Sequence, residues 1–269
     1  MDSFIFNDET DVLVGLTDGR LSIWYQPAIA FVDKDLVPLT TSSSEAAEFG
    51  RNAQIASYTG NRISVRKVDG AMLFAATSTD VGLLYDLTRN GKWDESLRLC
   101  RHQKSHHLWA CLASSALAKK QLDTAEIALS QVDEVAKVEY IQHIKSIPSE
   151  EGRLAEMALF RRQPDEAERI LMQASPPLIH RAIKMNLSLF RWVRALEIAV
   201  KYRSHVDTVL GYRQKYLEEF GKRETNKQFL QYEGQVDINW EAILAKEQKE
   251  VEDERGRAGA GGATRQNRK

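Results

Sequence analysis

Lys92–Leu99 reads KWDESLRL, Gln121–Ala128 reads QLDTAEIA, Gln163–Ile170 reads QPDEAERI and Arg191–Ile198 reads RWVRALEI. One pattern returns in all four. A bulky or rigid residue (Trp93, Leu122, Pro164, Trp192) is followed three positions on by a small one: Ser96, Ala125, Ala167, Ala195. Leu99, Ala128, Ile170 and Ile198 follow three positions further. Residues three and six apart share roughly one face of an α-helix. A small residue in the middle of that face lets a neighbouring helix approach closely. The recurrence predicts an α-solenoid of tetratricopeptide-like helical hairpins across Gly91–Gly221. The motif starts lie 29, 42 and 28 residues apart, so the repeat is irregular.

Flanking signals extend the helical reading. Val81–Leu87 reads as a short connecting helix, and His106–Lys119 as an amphipathic one with Trp109, Leu112, Ala113, Ala116 and Leu117 on one face. Asp133 is a candidate N-cap for Glu134–Ile147. Pro148-Ser149-Glu150-Glu151 and Pro164-Asp165-Glu166 are helix starts, with acids where the helix dipole favours them. Ser175-Pro176 is read as the same device ahead of Leu178–Leu189. Arg191–Tyr202 and His205–Phe220 form the last clear hairpin, with Gly221 as its stop. Thr225–Tyr232 adds a helix. Ile238–Glu254 is helical by pattern, with Trp240, Ile243 and Leu244 on a weak apolar face. The remainder, RGRAGAGGATRQNRK, has five basic residues, four glycines and no acid. That composition predicts disorder.

Upstream the period changes to that of strands. Asp11–Leu16 and Arg20–Tyr25 flank Thr17-Asp18-Gly19, a hairpin turn. Ile55–Tyr58 and Arg62–Lys67 flank Thr59-Gly60-Asn61, and Ala71–Ala76 follows. Asp18, Gly19 and Trp24 resemble the third strand of a WD-type blade, with Trp24 wedged between blades. Pro27–Ser44 reads as an excursion whose polar Thr40–Ser44 run marks loop. The strands supply about two blades, whereas a propeller typically has about 4–8. Met1 therefore falls inside an architecture expected to begin earlier, and the expectation is a piece of a longer protein. The fold class expected is α+β multidomain. Residues 1–79 are a remnant of a WD-type β-propeller, 80–232 a tetratricopeptide-like α-solenoid, 233–254 a C-terminal helix, and 255–269 a disordered basic tail.

Composition narrows the function classes. Hydrophobic content is 43% and the formal net charge is −1, so no dominant attraction to nucleic acid or anionic membrane is expected. Two cysteines are too few for a disulfide framework and suit a reducing compartment. MDSFIFNDE does not read as a signal peptide, and no apolar run is long enough to insert in a membrane. The expectation is a soluble intracellular chain.

Chemistry-bearing clusters are few. Cys100, His102, His106, His107 and Cys111 lie close in sequence, but zinc sites ordinarily use paired C-x₂₋₄-C and H-x₃₋₅-H elements. Buried cysteines beside surface histidines explain them. His205-Val206-Asp207 reads as a helix start, since residues two apart on a helix point in different directions. Glu150-Glu151 and Asp165-Glu166 are explained by helix starts too. No phosphate-binding glycine loop and no HExxH is present. The reading assigns no catalytic, cofactor-binding or metal residue. Trp93, Trp109, Trp192 and Trp240 read as packing residues, with Trp240 the best candidate for an exposed interface.

Several stretches go beyond generic repeat logic. They are WYQPAIAFVDKDLVPL (Trp24–Leu39), WACLA (Trp109–Ala113), TAEIA (Thr124–Ala128), DINW (Asp237–Trp240) and RALEIAVKYRSHVDTVLGYRQKYLEEFGKRETNKQFLQY (Arg194–Tyr232). Together these resemble the C-terminal part of the intraflagellar transport protein 80 family, WD-repeat subunits of intraflagellar transport complex B. The resemblance runs from about Asp11 to Leu244. It implies the end of a second propeller followed by the helical region, and a non-enzymatic scaffold without cofactors. It further implies docking to intraflagellar transport protein 172, a calponin-homology subunit and coiled-coil subunits, with kinesin-2 reached indirectly. It also implies self-association as a homodimer, no nucleic-acid partner and no membrane insertion. The implied location is the cilium or flagellum (axoneme and basal body) and the cytoplasm. Two other readings share features of the chain: a propeller–solenoid subunit of a vesicle coat or nuclear pore, and a metal-dependent enzyme built on the Cys100–Cys111 cluster.

Overall fold

A computed structural model describes residues 3–232 and 234–266. The chain forms two compact units, Met1–His143 and Ile144–Lys269.

The first unit opens with seven strands in two antiparallel sheets. Strands β1 (Ser3–Phe6), β2 (Leu13–Thr17), β3 (Arg20–Trp24) and β4 (Thr41–Glu45) form a four-stranded meander in that order. Strands β5 (Gln54–Thr59), β6 (Arg62–Arg66) and β7 (Met72–Ala76) form a three-stranded one. The two sheets match the expected two blades, and Arg20–Trp24 is indeed a third strand. Thr17 pairs with Arg20, so Asp18 and Gly19 make a two-residue turn. Their φ angles of +46° and +77° are those of a type I′ turn, whose twist matches that of the strands. Alternation fixes the inner faces: Val14 and Leu16 on β2, Leu21 and Ile23 on β3, Ile63 and Val65 on β6 are buried.

The Thr40–Ser44 run differs from the loop expected. Thr41–Glu45 is β4, with Thr41 opposite Trp24 and Glu45 opposite Arg20. It is an outer strand, largely exposed, so it carries no apolar alternation to betray it. The excursion before it is also ordered. It folds as three short 3₁₀ turns, Pro27–Phe31, Lys34–Leu36 and Pro38–Thr40, which bury Ile29 and Leu36. Trp24 is half-buried.

Five helices follow: α1 (Thr79–Arg89), α2 (Trp93–Gln103), α3 (His106–Ala118), α4 (Leu122–Ser130) and α5 (Val135–Ser146). Helix α3 is not amphipathic. Its residues from Leu108 to Ser114, plus Ala116 and Leu117, are all buried. The excursion covers its second face: Gln26 bonds Ser115, and the His107 ring bonds the Leu39 carbonyl at 2.6 Å. Lys137 of α5 reaches Asp33 of the excursion at 2.7 Å. Asp133, expected as an N-cap, sits at φ +59°, left-handed rather than the extended backbone usual at that position.

The second unit holds α6 (Glu150–Phe160), α7 (Pro164–Gln173), α8 (Ile179–Ser188), α9 (Trp192–Tyr202), α10 (Val206–Glu219), the single turn α11 (Lys227–Leu230) and α12 (Trp240–Gln266). Helices α6 and α7 start where the sequence predicts: Pro164 opens α7, and Ser149 caps α6 by accepting from the Gly152 amide, a role the sequence had not assigned it. Pro176 does not open α8. That helix starts at Ile179, three residues further on, behind Leu178. The backbone of α12 stays helical through Gln266, where disorder was expected from Arg255; residues 267–269 lie outside those described. The segment's four glycines each disfavour helix, but it continues a helix already anchored at Glu254.

The motif owes its recurrence to one turn. Gly91, Lys120, Arg162 and Phe190 each precede a motif copy, and all four have positive φ. The residue after each donates its amide five positions back: Lys92 to Leu87, Gln121 to Ala116, Gln163 to Ala158, Arg191 to Asn186, at 2.8–2.9 Å. The positive-φ residue itself donates three back, to Thr88, Leu117, Leu159 and Leu187. These paired bonds define a Schellman turn, which satisfies the last carbonyls of one helix and redirects the chain into the next. Past the turn, Ser96, Ala125, Ala167 and Ala195 have 0% exposure, so the small residue marks the seam. The spacing also resolves. Motif helices α2, α4, α7 and α9 are separated by one helix, except that α5 and α6 both lie between α4 and α7. That extra helix makes the 42-residue interval.

Candidate interaction surfaces

The cysteine–histidine cluster does not converge. Cys100 and Cys111 are buried thiols, whereas His102 and His106 are exposed. Burial pushes the Cys100 thiol up to about 12 and raises Cys111 as well. Both are thus held as thiols, the form that neither attacks nor ligates. His107 is spent on the Leu39 carbonyl. Among the described residues, no three His, Cys, Asp or Glu side chains are arranged to hold a metal ion. Nor is any helix among them long and apolar enough to cross a membrane.

His205 and Asp207 part company in the same way. Asp207 lies in the first turn of α10 and pairs with Lys246 of α12. Burial alone would raise its carboxyl; the bond from Lys246 holds it below the ordinary range. His205 is buried, with its ring 5.0 Å from that of His180. Its Nε2 lies 3.4 Å from Glu250. Burial, with His205 adding to it, lowers His180 to about 4, so this imidazole is neutral near pH 7.

The tryptophans divide. Trp109 is buried, and Trp93, Trp192 and Trp240 are half-buried. Trp240 is no free interface residue: it packs edge-on against Tyr212 of α10, 5.3 Å between centroids. Gly211 permits that approach, because a Cβ there would lie 3.2–3.4 Å from Ile238, Ile243 and Trp240.

Two surfaces emerge in the second unit, and neither the aromatic cluster of the first nor the acidic stripe of the second is expected from the sequence alone. The first is an aromatic cluster beside the α8–α9 turn. Trp192 and Tyr216 are 5.1 Å apart, Phe190 lies within 6 Å of both, and Tyr216 stacks on Phe220 at 4.7 Å. Phe190 and Phe220 are 63% and 57% exposed. The Arg213 guanidinium sits over Trp192 and is fixed by Glu224 at 2.7 Å. Clustered, rigid aromatics with an ordered arginine are what protein interfaces favour.

The second is the docked face of α12. Trp240, Ile243, Glu247, Glu250 and Glu254 are spaced three, four, three and four residues apart and form one stripe. Among residues 240–257, these five alone are buried or half-buried. The stripe begins apolar and turns acidic. Glu247 takes Lys184 of α8 at 2.9 Å, and Glu254 takes Arg181 of α8 at 2.7 Å and the Ser149 hydroxyl. Burial alone would lower the Lys184 ammonium; its bonds to Tyr212 and Glu247 overcome that and raise it. The sequence shows this stripe as three glutamates among many, and only the docking partners distinguish them. Leu244, expected on the apolar face, is 56% exposed.

Further in, Glu168 of α7 is nearly buried and joins three helices. It accepts from Asn186 of α8 at 3.0 Å and from Arg194 of α9. Burial would raise its carboxyl; those bonds prevail and hold it below the usual range.

Comparison with known proteins adds a second line. The family model for the IFT80/172/WDR35/WDR19 TPR domain matches residues 108–256, and that for the IFT80 second beta-propeller matches residues 1–80. The intraflagellar transport protein 80 homolog of Rattus norvegicus is 44% identical over 254 residues, and that of Mus musculus 43%. Each match covers 94% of this chain and 32% of the relative, so the chain spans about a third of their length.

Proposed function

The chain belongs to the IFT80/172/WDR35/WDR19 TPR-domain family, and from that premise we propose a non-enzymatic scaffold subunit of intraflagellar transport complex B. In this role it supports assembly of a cilium or flagellum and motor-driven transport along it, by protein–protein docking on the solenoid. The observation that carries this reading is identity to the rat and mouse transport proteins across the whole hairpin array. Within each unit, the buried small residues of the motifs give a physical reason why neighbouring helices pack closely. Residues 1–79 are assigned to propeller blades, 80–232 to the solenoid and 233–254 to the helix that closes it. Partners are other complex B subunits: intraflagellar transport protein 172, a calponin-homology subunit and coiled-coil subunits, with kinesin-2 carrying the assembly. The location is the axoneme and basal body of the cilium, and the cytoplasm. No catalytic, cofactor or metal residue is assigned.

Live imaging of the fluorescently tagged chain in ciliated cells tests this. Puncta moving along the axoneme are expected. Static coats on membranes of the cell body would move the assignment to a vesicle-coat subunit of similar architecture.

A further inference from the structure

We infer that the groove between α8 and α10 is a receptor for an acidic helix of a partner subunit, and that α12 occupies it as an exchangeable latch. The inference rests on the docking role proposed above and names the surface and partner chemistry for it.

Helix α12 docks inside out. Past Ile243, its apolar residues Leu244 and Val251 face solvent, while Glu247, Glu250 and Glu254 face the groove. The groove supplies the complement: the cations Lys184 and Arg181 from α8, and the His205 ring at the start of α10, whose Nε2 lies 3.4 Å from Glu250. Beside the acidic half of α12 opens a cleft of about 650 Å³ whose walls include Ile179, His180, Arg181, His205, Glu250 and Glu254. Past Ile243 the helix is held by polar contacts and gains little from hydrophobic burial. Each contact joins a largely buried group to a more exposed one, so salt screens it in part. The site thus selects its occupant by three carboxylates at intervals of three and four residues on one helical face. Any helix with that stripe satisfies it. The tethered α12 excludes free competitors by its high effective concentration until it is displaced.

The test uses the full chain and a fluorescent peptide copying residues 236–257. The comparison chain carries Glu247→Gln, Glu250→Gln and Glu254→Gln. Peptide affinity for it should exceed that for the parent about ten-fold or more, as relief from a cis competitor requires. Binding should weaken as salt rises from about 0.05 to about 0.3 M. It should vanish with a peptide bearing the same three Gln changes, or with Arg181→Glu and Lys184→Glu in the comparison chain. Hydrogen exchange on the unmodified chain covers failure of the comparison chain to fold. Amides 244–257 should lose protection as salt rises while those of α8 and α10 keep theirs.

Equal peptide affinity for both chains would overturn the inference, as would binding that survives the groove changes or exchange that ignores salt. A parent dimer that becomes monomeric on the Glu→Gln changes would assign the groove to a second copy, and overturn it too. If the chain recovers transport subunits from cells while peptide binding fails, this inference falls alone. The converse result overturns the proposed function alone.

Discussion

Replacing Gly152 with Ala should destabilise the protein, although Ala is the better helix former. Gly152 is the third residue of α6. In a helix interior, Ala is favoured over Gly by about 0.5–1 kcal/mol. Here a Cβ would lie 2.5 Å from the Ser149 hydroxyl, 2.8 Å from an Ile147 methyl and 3.2 Å from Arg181 Nε. The first two are shorter than any real contact, so Ser149 must rotate away. That hydroxyl is the N-cap of α6 and also donates to Glu254, which is 5% exposed. Loss of an N-cap costs about 1 kcal/mol. Loss of one hydrogen bond to a buried carboxylate that keeps Arg181 costs about 1–2 kcal/mol. The balance is a net loss of about 1–2 kcal/mol, since the helix-forming gain offsets only part of these costs. Urea unfolding of the full chain, followed by circular dichroism, measures it. Ser149→Ala removes the colliding oxygen, so Gly152→Ala in that background should cost less than half as much. A stabilising Gly152→Ala, or equal losses in both backgrounds, would refute the reasoning.

Lys120 is an exposed residue held at φ +60° by its turn, so Lys120→Gly should raise stability by about 0.5–1 kcal/mol in the same assay. Ala195→Leu forces a larger side chain into a seam with 0% exposure and should cost about 1–3 kcal/mol or more; the exposed Ala242→Leu should stay within about 0.5 kcal/mol. His180 is lowered from 6.5 to about 4 in the folded protein, so the unfolded chain takes up the proton first. Its contribution is whole above pH 6.5 and is lost as pH falls towards 4. Partial exposure limits the loss to about 1–3 kcal/mol. Thermal melts across that range should show His180→Gln with the flatter profile. Below it, both proteins lose stability as Glu168, Asp207 and Glu224, all lowered by their ion pairs, protonate.

What the sequence revealed was whatever is encoded locally. The three-residue spacing of the motif, the Asp18-Gly19 turn, the Pro148–Glu151 helix start and Pro164 are each decided within a few residues, and each holds in the structure. The elements misread depend on distant partners. Strand β4 is a polar outer strand that exists because β3 offers it an edge. Helix α3 is buried all round because an excursion some 70 residues upstream folds onto it. The Schellman turns were hidden because three of their four left-handed positions are Lys, Arg and Phe rather than Gly. Nor could the acidic stripe of α12 be recognised without Arg181 and Lys184, about 60–70 residues away. His180 and His205, 25 residues apart, meet only through the packing of α8 against α10.

Crosslinking mass spectrometry on material purified through the tagged chain from ciliated cells tests the scaffold assignment most directly. The account predicts complex B subunits in the eluate, with crosslinks to the exposed faces of helices α2–α10. An eluate without any transport subunit, from cells in which the chain is folded and abundant, would contradict it.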